Sequence, residues 1–415
     1  MSVAEHELQS IFKDDWSQTG SWRLNRYKEV AKLELPKIGK LNLKPYQFDN
    51  LYPIFEKRET VDVVPKEIKQ FITDEDNVVI VYDGSIVYKQ LTGDFRQVII
   101  KSYFDALEDG DTKVFNALWQ DVEGDSRDRL HAINRAYRNS GLYIEVPTGL
   151  VLRDTLKIHI VASRDLIHRS VIVARPHSEF QLLEIIDSVQ PAHVNYTTET
   201  EVQENAHVHY LSIDRLGENS PAYIDRRANV YQDGHLIYAL GQLNNSSTIS
   251  NTLAKLKGRN AHCEARNVLM TDGENLHAVT VHIEHEAEYS VGNIINHGIV
   301  KDKGHLHLDG IGKIHKGQKQ SNAQQSSSII TLSDKAKVVA NPYLLIDEYD
   351  VMAGHGASIG QVDEEQLYYM MSRGMTRRDA EKLIIVGFLS PIIEMIDSDE
   401  IRKNFIETIE RKLEQ

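Results

Sequence analysis

A mainly β fold with a parallel β-helix at its core is the architecture this sequence predicts, and three observations predict it. From Leu142 to about residue 332, short strand-like segments recur, with Gly, Asn, Asp and Ser between them. Most alternate apolar with polar residues, as in His305-Leu306-His307-Leu308-Asp309, so one face of each strand stays wet. No long connection of the Greek-key kind separates them. A sandwich, a barrel and a propeller compete for this texture. No strict repeat period is visible by eye, and the wet faces favour a stacked solenoid.

The elements follow in chain order. Residues 4–12 and 22–34 read as amphipathic helices, the second with Leu24, Tyr27, Val30 and Leu33 spaced by three. Pro36, Pro45 and Pro53 then break the chain into loops. Val78–Tyr82 and Ser85–Lys89 flank Asp83-Gly84, a strong hairpin signal. Residues 101–121 and 127–138 read as helical, which makes 1–140 an N-terminal α/β region. Strands are expected at 142–146, 155–161, 170–174, 180–186, 194–200 and 207–213. Others are expected around 228–240, 246–256, 261–270, 275–284, 291–300, 304–314 and 326–332, giving a β core over 141–360.

A helical domain over 361–415 closes the chain. Asp363 followed by Gln366 is a capping-box-like start, and Gly374 suits the residue after a helix end. Thr376 and Asp379 start the next helix, whose stripe is Ala380, Leu383, Ile384, Gly387 and Phe388, and Pro391 is expected to stop it. Ser398 is expected to cap a last helix with Ile401, Phe405, Ile409 and Leu413 on one side.

Composition narrows the function. Lys and Arg total 47 against 61 Asp and Glu, a net charge of −14, which disfavours nucleic-acid and anionic-membrane binding. The N-terminus has no secretory pattern, and no apolar run is long enough to span a membrane, so a cytoplasmic protein is expected. One cysteine, Cys263, builds neither a disulfide nor a cluster site alone. It reads as a reactive thiol or as a small buried hydrophobe, the second being the commoner case.

Several motifs can be set aside or left open. Gly312-Lys313 lacks the preceding glycine and the following Ser or Thr of a phosphate-binding loop. Gly356-Ala-Ser358-Ile-Gly360 matches a nucleophile elbow on paper, but no His follows it. Eight of 18 histidines lie between 262 and 315. On a strand His282 and Glu284 share a face while His285 points away, and His305 and His307 share one. Each pair reads as a metal site or as a solvated strand face. An apolar strand with Asp347, Glu348 and Asp350 then leads to Gly354-His355-Gly356, expected as a tight turn. His355 there can ligate a metal, including one shared with a partner chain, or simply hydrogen-bond the turn.

This last segment resembles the C-terminal signature of the SufB/SufD family of iron–sulfur cluster assembly proteins. The matching residues are Asp350-Val351, His355-Gly-Ala-Ser-Ile-Gly-Gln-Val-Asp363, Glu365-Gln-Leu-Tyr-Tyr369, Ser372-Arg-Gly374, Ala380, Leu383-Ile384 and Gly387-Phe388. His282-x-Glu-His285 and Ser321-x-Ala-x-Gln325 also fit, and the likeness covers roughly residues 140–415. The lack of cysteines after Cys263 makes the chain similar to the SufD branch. Many SufD members carry a Cys two residues before the His, where this chain has Ala353.

The resemblance implies a right-handed parallel β-helix and a non-enzymatic scaffold. It implies pairing with SufB, docking of the SufC ATPase on the C-terminal helices, or a homodimer of the isolated chain. No cofactor is held alone: the iron–sulfur cluster is carried transiently by the complex, and ATP is handled by SufC. His355 is the candidate shared ligand at the SufB interface. Tyr368, Met371, Arg373, Leu383 and Phe388 are the candidate partner-binding residues. The alternative is a β-helix carbohydrate-active enzyme, which would need a paired-acid cleft.

Overall fold

The computed structural model describes residues 3–58, 66, 68–69, 72, 77–119, 126–394 and 399–414. The core is a parallel β-solenoid of two facing sheets. One sheet carries β4 (Ser140–Val146), β6 (Leu166–Ala174), β8 (Val194–Val202), β10 (Ala222–Val230), β12 (Thr248–Leu256), β14 (Leu276–His285), β16 (His305–Ile314) and β18 (Lys337–Ile346) in that spatial order. The other carries β5 (Val151–Ala162), β7 (Glu179–Ser188), β9 (His207–Asp214), β11 (His235–Gln242), β13 (His262–Thr271), β15 (Val291–Val300), β17 (Asn322–Thr331) and β19 (Met352–Gln361). The chain therefore alternates sheets at every strand and climbs one coil per pair.

The repeat that the eye misses in the sequence is set by backbone conformation. His177, Asn205, Asp233, Asn260, Tyr289 and Gln320 all have positive φ, between 53° and 61°. They recur at intervals of 27 to 31 residues, one per coil. Each donates its N–H to a carbonyl of the next coil: Asn205 to Gln232 at 2.9 Å and Tyr289 to Lys319 at 2.9 Å, for example. Asn and Asp tolerate this left-handed region best; the rung-to-rung bonds hold His, Tyr and Gln there as well. The same turn breaks the single strand expected over 228–240: β10 ends at Val230 and β11 begins at His235.

Between the sheets lies an apolar core that includes Leu156, Leu182, Val208, Leu236, Cys263 and Ile294. Within it runs a polar chain. Ser140 Oγ lies 2.6 Å from His168 Nδ1, and His168 Nε2 lies 2.9 Å from Ser170 Oγ. Tyr196 donates to Ser170 Oγ and to Glu184, and Tyr210 donates to Glu184 at 2.8 Å. Buried polar groups are tolerable only when paired in this way.

The outer faces of the two sheets are covered differently. On the first, α1 (Val3–Ile11), α2 (Trp16–Val30), α3 (Tyr103–Asp109), α4 (Thr112–Trp119) and α5 (Arg129–Tyr137) cover the early coils, burying Tyr143, Val171, Ile167 and Tyr223. On the second, α7 (Arg377–Ile393) and α8 (Asp399–Glu414) bury Leu183, Ile185, Leu211, Val268 and Met270. α6 (Glu364–Ser372) links β19 to them.

The N-terminal strands extend the core sheets directly. In the hairpin of β1 (Val78–Tyr82) and β2 (Ser85–Gln90), Asp83 and Gly84 both take positive φ as the motif predicts, and β1 pairs parallel with β5. β3 (Ile99–Ser102) pairs with β4. The helix expected over 101–121 is, over the described residues 101–119, a strand end and two helices, because Ser102 and Asp105 form a capping box and left-handed Gly110 ends the first helix. The helix expected to start at 22 starts at Trp16.

At the other end, Asp363 caps α6 by accepting from the N–H groups of Glu365 and Gln366, as its spacing predicts. Pro391 does not stop α7, which runs on to Ile393. A proline costs the helix one N–H donor, here the one that would reach Gly387, and Ser390 Oγ donates to that carbonyl instead at 2.9 Å. Ser398 and the Ile401 side chain lie outside the described residues.

Candidate functional site

The two ends of the solenoid differ. At the start, β1, β2 and β3 cap the sheets. At the finish, among the described residues, β18 bonds only to β16 and β19 only to β17, so each ends its sheet with an unpaired edge. Edges of this kind are templates for another chain. The final coil is also apolar and bare: Tyr343, Leu345, Ile346, Met352 and Ile359 are exposed, the last at 50%.

His355 lies on this coil, but as the fourth residue of β19 and not on a turn. Its Cα partner in β17 is Gln325. Neither Gly354 nor Gly356 has positive φ. The segment stays extended because the ladder to β17 pairs the backbone groups that face that strand. Small side chains make it a smooth strip: a Cβ at Gly356 or Gly360 would meet nothing within 4 Å. His355 is therefore an exposed imidazole on an open strand edge. Ser358 sits in the same strand, with its Oγ 3.2 Å from Ser328 Oγ, so the nucleophile-elbow geometry does not form.

The acidic residues expected on a strand lie in the turn after it, since β18 ends at Ile346. There Glu348 accepts from the Gly317 N–H at 2.9 Å and Asp350 from Gln320 Nε2 at 2.7 Å. They fasten the last turn to the one before.

On α6 and α7, Tyr368 is 76% exposed, and Met371, Arg373 and Leu383 are exposed as well. Arg373 donates to Tyr369 Oη at 3.1 Å. Phe388 faces the other way: it packs against the outer sheet face and stacks on His297 at 4.6 Å between ring centroids. These five residues therefore do not form one surface: four face solvent and Phe388 anchors the helix.

Cys263 is fully buried in the core, and burial pushes its thiol up, so it behaves as an apolar side chain. The histidine cluster separates by register. His277 and His285 are interior, and burial lowers each to about 4. His262 stacks on His235, which stacks on His207, on three successive coils. His305 is half-buried, while His307 is buried 3.3 Å from Asp309. His315, remote from Glu284 in sequence, lies 3.0 Å from its carboxylate. Strand alternation gives the facing of His282 and Glu284, but only the pairing of β14 with β16 brings in His315.

Comparison with known proteins gives a consistent result. Residues 159–388 match the family described as SUF system FeS cluster assembly, SufBD core domain. The chain is 31% identical over 437 aligned residues to the iron–sulfur cluster assembly protein SufD of Bacillus subtilis (strain 168), covering 100% of this chain and 98% of that protein. It is 24% identical to an iron–sulfur cluster assembly SufBD family protein of Staphylococcus saprophyticus, covering 89% of this chain and 84% of that one. A Staphylococcus aureus (strain MRSA252) protein of the same description is 23% identical over the same shares.

Proposed function

We propose, on the premise that this chain belongs to the SufB/SufD family of iron–sulfur cluster assembly proteins and is SufD-like, that it is the scaffold subunit that pairs with a SufB-type chain and docks a SufC-type ATPase. The observation that carries this reading is the open final coil. It offers two unpaired strand edges, an apolar surface and one exposed imidazole, His355, on the same strip. A second chain adding its own strands there would satisfy the edge groups and bring its ligands beside His355.

The chemistry divides accordingly. This chain's one thiol is buried and protonated, so the sulfur ligands of a cluster would come from the partner. His355 would supply a nitrogen donor, and the cluster is cargo of the assembled complex. The nucleotide step belongs to the ATPase, docked on the exposed Tyr368, Met371, Arg373 and Leu383, while Phe388 holds α7 to the sheet. In this reading the subunit works in the cytoplasm and catalyses no step alone. No helix among the described residues is long and apolar enough to cross a membrane.

The test is reconstitution with SufB-type and SufC-type partners. His355→Ala is expected to leave the complex intact and to lower its iron and acid-labile sulfide several-fold. Wild-type cluster yield would overturn the ligand role. In the same experiment Tyr368→Ala with Met371→Ala should release the ATPase and retain the SufB-type chain. Deleting the C-terminal helices is a poorer test, because it bares the sheet face covered by α7 and α8.

A further inference from the structure

A second constellation lies on the other sheet, away from the strand that bears His355. Glu284 and His282 are two residues apart on the outward face of β14, and Glu286 follows just beyond the strand end. The ladder continues past both strands: the Glu286 N–H donates to Leu256 at 2.9 Å and the His315 N–H to His285 at 3.2 Å. This brings His315 beside the two glutamates. One ligand atom each from Glu284, Glu286 and His315 lie within 4.8 Å of one another.

Two lysines share the cluster. Lys313 Nζ lies 2.6 Å from Glu284, and Lys255 Nζ lies 4.0 Å from Glu284 and 3.9 Å from Glu286. An ordinary surface ion-pair network would look partly like this. Two details point beyond it. Glu286 meets Lys255 only beyond hydrogen-bond distance. His282 Nε2 is shielded from solvent and has no hydrogen-bond partner among the described residues, an arrangement that costs free energy unless something fills it. Glu284 is only 8% exposed, so the carboxylate is already largely desolvated and fixed.

We propose that Glu284, Glu286 and His315, with His282 alongside, form a binding site for a divalent first-row transition-metal ion such as Zn²⁺ or Fe²⁺. Two carboxylates and imidazole make a donor set of intermediate hardness, which suits these ions over Ca²⁺ or Mg²⁺. Bond lengths near 2.0–2.2 Å require the donors to close to about 3 Å, a shift within reach of side-chain rotation. In the unloaded molecule Lys313 holds the Glu284 carboxylate. On loading, its ammonium gives way to the ion and swings to solvent, which its partial exposure permits.

The test uses tag-free full-length chain and Co²⁺ alone as the probe, read by visible absorption and by calorimetric titration. Wild type is expected to bind one Co²⁺ with ligand-field bands. Glu286→Gln and His315→Ala should each weaken binding by at least about tenfold. Lys313→Met should tighten it, because a competing cation is removed; a plain ion-pair network makes no such prediction. His355→Ala should leave affinity unchanged, which separates this site from the cluster role proposed above. Glu286 is half-buried at the surface, so its variant tests the site even if His315→Ala impairs folding. Absence of Co²⁺ binding by the folded wild type would overturn the site. So would affinity that is insensitive to both Glu286→Gln and Lys313→Met.

Discussion

Single residues inside the solenoid set its response to acid. His168 is fully buried, and burial, with Arg138 adding to it, lowers it to about 3. The folded state thus favours neutral imidazole, while the unfolded chain takes up a proton near pH 6.5. Stability is full above that value and is lost as pH falls from 6.5 towards 3. By pH 5 the loss from this one group is about 2 kcal/mol. Glu184 and Asp187, raised by burial, act in the opposite sense, so the informative measurement compares variants. In urea denaturation at pH 7 and pH 5, His168→Gln should be less stable than wild type at pH 7 yet lose less between the two. Equal losses would refute the assignment. No residue-level signal marks His168 in the sequence. Every residue of β6 is buried, on both faces of the strand, so alternation does not show which face is the interior. His355 was legible as an exposed imidazole through its glycine neighbours and the family signature, but its strand setting was not. Glycines beside a histidine suggest a turn until a neighbouring rung is known to hold them straight.

Among elements, the docking of α8 rests on one close approach. A Cβ at Gly241 in β11 would lie 2.3 Å from Phe405 Cε2, so glycine there lets the ring of α8 seat against the sheet. Phe405 and Ile409 are buried in that contact with Met270 and Ile299. Gly241→Ala should expel the ring at a cost of about 1–3 kcal/mol. Hydrogen exchange should show faster amide exchange along α8 with the solenoid ladder unchanged; unaltered α8 protection would contradict the role given to Gly241. The strands themselves were readable, because alternation survives in nearly all of them. Their period was not. Paired residues on neighbouring coils stand 26 apart at Ala222 and Thr248 but 32 apart at Leu306 and Val338. What recurs is a left-handed backbone, carried here by His, Asn, Asp, Tyr or Gln, and no residue letter repeats with it.

At the scale of the whole molecule, the structure is capped at one end and open at the other. Each coil rests on its neighbours, so stability is close to a sum of adjacent contacts and the last coil has support on one side only. Its apolar surface is expected to join a partner and contributes little to the fold of the isolated chain. Ile359→Lys should therefore leave the melting temperature of the isolated chain within about 2 °C, since the side chain is half exposed. Co-expressed with a SufB-type partner, the same variant should elute as a separate monomer in size exclusion with light scattering. An intact heterodimer would show that pairing uses another surface.

The ladder of left-handed turns also makes the length of this protein quantised. Every coil hands its chain to the next at the same point of the circuit, so the natural unit of gain or loss is a whole coil. A few residues added at a turn only widen one loop, as the 31-residue step from Tyr289 to Gln320 does. A single residue added within a strand would swap inward for outward side chains all the way to the next turn. The turn edge that carries Asn205, Asp233 and Asn260 is thus where this architecture can change without losing count.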